Sequence, residues 1–84
     1  MVKLVYFAWV RERIGKPEET IEVPSDVATI AELLAWLRMR GPEYEHAFSR
    51  PEVIRAAIDQ SHVKPAAKIV GAREIAFFPP VTGG

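Results

Sequence analysis

The end of the chain carries the residues best suited to chemistry. Pro79-Pro80 is followed by Val81-Thr82 and then by Gly83 and Gly84. Because glycine has no Cβ, such an end can enter a channel too narrow for other residues and present its carboxylate to a catalyst. The paired prolines fix φ and lack amide hydrogens, so they stiffen the chain and project the last four residues away from the body. The carboxylate of Gly84 is therefore the predicted reactive group.

A terminal Gly-Gly also has a simpler interpretation, because chain ends are commonly frayed and glycine is common. The combination of Phe77-Phe78, Pro79-Pro80 and the glycines within one continuous octet favours chemistry instead. We therefore treat residues 79–84 as a flexible functional tail attached to a folded body.

The carboxylate of Gly84 needs activation, because its leaving group would otherwise be oxide. Adenylation by an ATP-using partner is the usual biological solution, and this chain has no phosphate-binding loop of its own. It also has no cysteine, so any sulfur must come from elsewhere. We expect no bound cofactor, ATP held by a partner enzyme, and an acyl-adenylate and then a thiocarboxylate at Gly84.

Composition narrows the class of protein. A chain of 84 residues predicts one domain, spanning residues 1–84. Its 11 basic residues are balanced by 11 acidic ones, which argues against a nucleic-acid partner. The apolar residues 4–10 are too few to span a bilayer and lack a secretory cleavage site, so we expect no membrane partner and a cytoplasmic location. His46 and His62 do not have the spacing of metal ligands, so no metal site is expected.

The first half of the chain predicts two strands and a helix. Residues 2–10 are rich in β-branched and aromatic side chains, as in a central strand, and residues 20–23 alternate as in a second, antiparallel strand. The connection over residues 11–17 has room for at most one helical turn. Thr29 and Glu32 have the spacing of a capping box. Apolar residues then recur at helical spacing until Gly41-Pro42: Ile30, Leu33, Leu34 and Leu37.

The second half predicts a loop and more strands. Residues 43–51 predict a loop with a short helical turn that tucks its aromatic side chains under the domain. Residues 52–59 and 62–64 predict a hairpin with its turn at Gln60-Ser61, and residues 73–78 predict the last strand. Trp36 and Met39 lie off the helical stripe, and packing against a loop is the preferred interpretation for Trp36.

This element order predicts an α+β roll in which one helix lies across a single face of the sheet. A right-handed crossover favours the first and last strands lying side by side and parallel at the centre. Alternation places Phe77 and Phe78 on opposite faces of the last strand. We expect Phe77 in the core and Phe78 on the uncovered face as an anchor for a partner. The alternative is that Phe78 packs beneath the loop that holds Tyr44 and Phe48.

Residues 75–84 resemble the C-terminal signature of the small-subunit sulfur carriers of molybdopterin synthase, a family with the β-grasp (ubiquitin-like) fold. Weaker support comes from residues 3–8, from Val10-Arg11-Glu12, and from residues 57–60, where the family often has Asn in place of Asp59. The resemblance implies a mixed sheet of four to five strands, one main helix on one face, and a free extended C-terminal tail.

The resemblance also implies a function. An E1-like enzyme would adenylate Gly84, the adenylate would become a thiocarboxylate, and the loaded tail would insert into the large synthase subunit. There it would donate sulfur to cyclic pyranopterin monophosphate and so form the molybdopterin dithiolene. The chain would be non-catalytic alone, as part of a heterotetrameric sulfurtransferase. Two alternatives stay open: a sulfur carrier for thiamine synthesis or tRNA thiolation, and a ubiquitin-like protein modifier.

The residues expected to bind these partners lie near the tail. They are Phe78, Pro79, Pro80, Val81, Thr82 and Arg11. Arg11 is expected to join Arg13, Lys68 and Arg73 in a small basic patch near the tail exit, which would meet acidic groups of the activating enzyme. Arg73 also departs from the acidic turn that related sequences tend to have, so partner specificity could differ here.

Overall fold

A computed structural model describes residues 1–80 of the chain. The strands are β1 (Val2–Tyr6), β2 (Glu18–Ile21), β3 (Arg55–Ile58), β4 (Ser61–Val63) and β5 (Glu74–Phe78). The helices are α1 (Ala8–Ile14), α2 (Ile30–Arg38) and α3 (Pro42–Ala47), and a turn of 3-10 helix spans Pro51–Val53. The strands form one mixed sheet in the order β2-β1-β5-β3-β4.

The sheet is built around β1 and β5, which run parallel with Leu4 opposite Ile75 and Tyr6 opposite Phe77. Strands β2 and β3 flank this pair in antiparallel orientation, and β4 forms the edge beyond β3. The predicted parallel pairing of the first and last strands is therefore confirmed. Because β1 and β5 are parallel, their carboxyl ends lie side by side, so the chain leaves β5 next to the end of β1.

Helix α2 forms as the sequence predicts. Thr29 Oγ1 accepts a hydrogen bond from the Glu32 amide, and the Glu32 carboxylate accepts one from the Thr29 amide, which is the expected capping box. The apolar stripe of α2 is buried against the sheet. Trp36 packs against the edge of this core, in line with its preferred interpretation, and Met39 is exposed.

The first strand is shorter than predicted, because residues 8–14 form helix α1 instead of continuing it. Val10 and Ile14 are four residues apart and both buried, so this segment follows helical periodicity and not strand alternation. Gly15 closes the helix with φ of 92°, a left-handed conformation that suits glycine. The expectation of at most one helical turn was therefore wrong, since the helix has 7 residues, about two turns.

Three other boundaries differ from the prediction. Strand β2 begins at Glu18 and ends at Ile21, so it lies two residues earlier in the chain. Residues 51–53 form a 3-10 turn, which delays β3 until Arg55. The hairpin turn is Asp59-Gln60, both with positive φ, at 48° and 74°. Asp59 stabilises this turn because its carboxylate accepts hydrogen bonds from the amides of Arg73 and Glu74, at 3.1 and 3.0 Å.

The segment predicted as a loop with a helical turn contains helix α3. Pro42 occupies the first turn of α3, where a missing amide hydrogen costs nothing. Tyr44 and Phe48 are buried, so the expectation that this segment tucks its aromatic side chains under the domain is confirmed. Phe48 reaches the centre of the core, where its ring lies 5.5 Å from that of Phe77 in an edge-on arrangement.

A polar cluster beneath the helices joins β1, β2 and α3. The Glu19 carboxylate accepts hydrogen bonds from the hydroxyls of Tyr6 and Tyr44, at 2.7 and 2.6 Å. Arg40 and Lys16 lie 3.3 and 3.6 Å from the other carboxylate oxygen. Burial alone would raise the pKa of Glu19, but these hydroxyls and cations together lower it. Burial and the neighbouring Glu19 carboxylate raise the pKa of Tyr6 and of Tyr44.

Replacing Glu19 by Ala is expected to destabilise the fold by about 1–3 kcal/mol, because the buried Tyr6 hydroxyl would lose its acceptor. Thermal unfolding at pH 7 would measure this as a fall in Tm of several degrees. Glu22→Ala, an exposed carboxylate just beyond β2, is the matched control and should change stability by less than about 0.5 kcal/mol.

The Glu19 contribution should also depend on pH. Its pKa is lower in the folded state than in the unfolded chain, so the stabilisation is complete above the ordinary glutamate pKa of 4.5 and is lost as pH falls through the lower folded value. The Tm difference between wild type and Glu19→Gln should therefore shrink below pH 4.5. A constant difference down to pH 2.5 would contradict this account.

Candidate functional site

The tail exit lies at the carboxyl end of β5. Strand β5 ends at Phe78, and the half-buried Pro79 and Pro80 come directly after it. The predicted site residues Val81, Thr82, Gly83 and Gly84 lie outside the described residues. The surface from which the tail leaves is therefore the part of the site whose geometry can be examined.

Phe77 and Phe78 project to opposite faces of the sheet, as alternation predicts. Phe77 is 0% exposed, and its ring stacks 6.4 Å from that of Tyr6. Phe78 is half-buried on the other face, where its ring lies 5.2 Å from the imidazole of His62. Tyr44 and Phe48 belong to the core with Phe77. The alternative in which Phe78 packs beneath their segment was therefore wrong.

The face of the sheet opposite the core is called the open sheet face, and Phe78 belongs to an apolar strip on it. By register this strip comprises Val5 of β1, Ala57 of β3, and Ala76 and Phe78 of β5, with His62 on the edge strand. Within residues 1–80 the buried side chains of α1, α2 and α3 belong to the core cluster on the other face. Phe78 is the largest apolar side chain of this strip, because its other apolar members are two alanines and a valine.

Helix α1 places a second aromatic residue beside the exit. The Phe7 amide donates a hydrogen bond to the Phe77 carbonyl at 3.1 Å, which fixes the start of α1 against the end of β5. The Phe7 side chain is 46% exposed. Sequence reasoning missed Phe7 because it lies within the stretch predicted as a buried strand. Strand alternation could have identified it, since Tyr6 points into the core and its neighbour must point away.

Arg11 lies one helical turn after Phe7 and is exposed. Arg13, on the same helix, stacks over the Trp9 ring with its guanidinium carbon 4.3 Å from the ring centroid. The structure therefore places Arg11 next to Phe7, whereas Arg13 lies on a different side of α1, beside Trp9.

Lys68 and Arg73 do not lie near Arg11 either, so the predicted patch of four residues was wrong. Arg73 precedes β5, and its carbonyl accepts a hydrogen bond from the Lys3 amide at the opposite end of the sheet. Phe77 is the fourth residue after Arg73 along the extended strand, about 13 Å away. Lys68 bridges Thr29 before α2 and borders a groove near Met1. Because β5 runs from Glu74 to Phe78, Arg73 lies at the end of the strand away from the tail exit.

The groove near Met1 has a volume of about 690 Å³ and is lined mainly by apolar side chains, among them Val2, Val27 and Ile69. It opens where β1 begins, at the far end of the sheet from Phe78. The groove therefore does not lie next to the start of the tail.

Within residues 1–80, no group of three or more His, Asp or Glu side chains is arranged to hold a metal ion. None of the helices described is long and apolar enough to cross a membrane.

Comparison with known structures places the fold. The structure is similar to a Pyrococcus furiosus protein described as subunit 1 of a molybdopterin converting factor, with a TM-score of 0.73, 25% identity, and coverage of 95% of this chain and 97% of that one. Small archaeal modifier protein 1 of H. volcanii gives the same TM-score at 22% identity over 95% of this chain and 97% of its own, which supports the fold alone. The predicted α+β roll of the β-grasp (ubiquitin-like) type is confirmed.

Comparison of sequences extends this similarity to the whole chain. The molybdopterin synthase sulfur carrier subunit of Escherichia coli (strain K12) is 33% identical over 84 residues, covering all of both chains. The protein of the same name from Dictyostelium discoideum is 36% identical, covering 98% of this chain and 94% of its own. The family model that matches residues 4–84 is that of the ThiS family. This chain therefore belongs to the ThiS family.

Proposed function

We propose that this protein is the sulfur carrier subunit of a molybdopterin synthase and acts in molybdenum cofactor biosynthesis. The observation that carries the proposal is full-length similarity to proteins of that name, about one third identical from end to end. The reactive group of the carrier is the carboxylate of Gly84, which follows the diproline and Gly83 in the sequence. Strand β5, which pairs in parallel with β1, ends at Phe78, six residues before Gly84 in the sequence.

The chemistry takes place at the carboxylate of Gly84. A carboxylate oxygen attacks the α-phosphate of ATP bound by an E1-like enzyme, pyrophosphate leaves, and an acyl-adenylate forms. Hydrosulfide supplied by a sulfur donor then attacks the carbonyl carbon, the bond to AMP breaks, and a thiocarboxylate remains. The large subunit receives the loaded tail, and the sulfur passes to cyclic pyranopterin monophosphate. Two deliveries supply the two sulfurs of the dithiolene.

The folded part of the chain contributes recognition to this sequence of reactions. Phe7, whose amide is bonded to the Phe77 carbonyl, and Phe78 are aromatic residues next to the end of β5, and Arg11 lies one helical turn after Phe7. Aromatic and arginine side chains are the usual anchors of protein interfaces. We assign Phe7, Phe78 and Arg11 to docking of the large subunit and of the E1-like enzyme, with Pro79, Pro80, Val81 and Thr82 guiding Gly83-Gly84 to the catalyst.

A carrier for another pathway would use the same activation and differ only in the receiver of the sulfur. A protein modifier would instead form isopeptide bonds from Gly84 to lysines of other proteins. The similarity to the H. volcanii modifier concerns the fold alone, whereas the sequence similarity favours the molybdopterin pathway.

The test is mass spectrometry of the intact protein. After incubation with the E1-like enzyme, ATP and a sulfur donor, the chain should gain the mass of one oxygen-to-sulfur exchange at Gly84. Addition of the large subunit and cyclic pyranopterin monophosphate should then return the chain to its original mass as molybdopterin forms. A loaded chain that keeps its sulfur under these conditions would contradict the molybdopterin role but leave the carrier chemistry intact.

A further inference from the structure

His62 occupies a particular place on the open sheet face. It lies on the edge strand β4 opposite Ala57, and its ring contacts that of Phe78 from across β3. Because Ala57 offers only a methyl group, the two rings can meet across it, and Ala57 is left only 6% exposed on this face. The imidazole itself is exposed. A partner that covers Phe78 must therefore also cover His62.

Covering an imidazole has a different free energy in its two charge states. A neutral ring can be buried against an apolar partner surface at small cost, whereas an imidazolium must give up its water. This difference in desolvation cost makes the protonated form better suited to the free carrier, where the ring is exposed to water, than to the docked one.

The other charged groups on this face do not offset that cost. Arg55 of β3 lies opposite Phe78 in the register, so the side chain paired with the docking residue is already a cation. Glu74 lies at the start of β5, at the far end of the strand. Lys3 and Glu18 pair with each other across β1 and β2, at 3.4 Å. Lys64, which comes directly after β4, adds a further cation near the edge of the sheet.

The geometry points to His62 as a proton-sensitive element of the docking surface, so that the carrier binds its large subunit when the imidazole is neutral and releases it more readily when the imidazole is protonated. This inference rests on the proposed function, because it needs a partner that covers Phe78. Histidine is the side chain whose charge ordinarily changes between pH 5 and 8, so the effect would fall within that range.

The experiment measures the affinity of the full-length carrier for the large synthase subunit of the same organism by calorimetry between pH 5.5 and 7.5. Wild type should bind about tenfold more weakly at pH 5.5, as expected when one imidazole must lose its proton before docking. His62→Phe keeps a ring against Phe78 and His62→Gln keeps polarity, and both should lose most of this pH dependence.

The chain provides its own control. Its other histidine, His46, lies on α3 and is exposed on the helical side of the domain, so His46→Gln should bind like wild type at every pH. Titration of the large subunit's own groups is common to all variants and cancels in the comparison. Measured at pH 6.5 in buffers of different ionisation enthalpy, wild type and His46→Gln should release protons on binding more than His62→Gln does.

The outcomes separate the two proposals. Binding by His62→Gln with the same pH dependence and proton release as wild type would overturn the role of His62 and leave the carrier function standing. A fall in affinity from pH 7.5 to pH 5.5 that is larger for His62→Gln than for wild type would overturn it as well. Failure of every variant to bind the large subunit at pH 7.5, with folding intact by circular dichroism, would refute the proposed partner and this inference with it.

Discussion

Deletion of Gly84 is expected to abolish molybdopterin formation while leaving the fold intact. The shortened chain would still end in a glycine carboxylate, that of Gly83, so the chemical group would be retained. It would, however, lie one residue, about 3.5 Å, short of the catalyst. Because a misplacement of about 1 Å can cost a hundredfold in rate, we expect a loss of at least about 10²-fold in thiocarboxylate formation and in sulfur transfer.

Stability should not change on this deletion, because the buried core of the described residues, 1–80, runs from Val2 to Phe77. The measurement pairs intact-mass analysis of thiocarboxylate formation with thermal unfolding. Gly84→Ala is the matched variant, since it keeps the length and adds only a methyl group. It should lose activity if the tail must pass through a channel that admits no Cβ. Normal loading of the shortened chain, or a large fall in its Tm, would contradict the assignment of residues 79–84 as a functional tail.

The parts of the fold that could be predicted from sequence are those specified by local signals. Thr29 and Glu32 form their capping box within three residues of each other, so α2 was correctly placed before any tertiary contact was known. The alternation of β5 likewise separated Phe77 from Phe78. In both cases the residues that decide the structure are neighbours in the chain.

Helix α1 was not predicted because its local signals are ambiguous. Phe7, Trp9 and Val10 favour a strand by propensity, and only the packing of Val10 and Ile14 into the core selects the helix. The same error hid Phe7 from the predicted site residues. The positions of Lys68 and Arg73 also depend on tertiary structure. The direction of β5 places Arg73 at the end of the strand away from the tail, and Lys68 pairs with Thr29.

The polar cluster around Glu19 shows what sequence patterns leave out. Tyr6, Glu19 and Tyr44 come from β1, β2 and α3, and no spacing between them announces a contact. Glu19 lies two residues before the buried Ile21, so both are on the covered face of β2, where Glu19 is opposite Leu4. The cluster depends on the register between β1 and β2, because a shift of one residue would move Glu19 to the other face of the sheet.

The adjacent Phe77 and Phe78 allow the most direct separation of fold from function. Phe77→Ala is expected to destabilise the domain by about 3–5 kcal/mol, because it removes a fully buried ring that contacts Tyr6 and Phe48. For a small domain with a total stability on the order of 5–15 kcal/mol, this loss would leave a large unfolded fraction near 37 °C. Chemical denaturation should show a lower midpoint.

Phe78→Ala should behave in the opposite way. The side chain is half-buried on the open sheet face, so stability should fall by no more than about 1 kcal/mol. Affinity for the large subunit should fall by about 2 kcal/mol or more, roughly thirtyfold, as expected for an aromatic anchor at the centre of an interface. Equal losses of stability in the two variants would mean that Phe78 is a core residue. Unchanged affinity of a folded Phe78→Ala chain would remove the open sheet face from the docking surface and leave Phe7 and the tail to account for recognition.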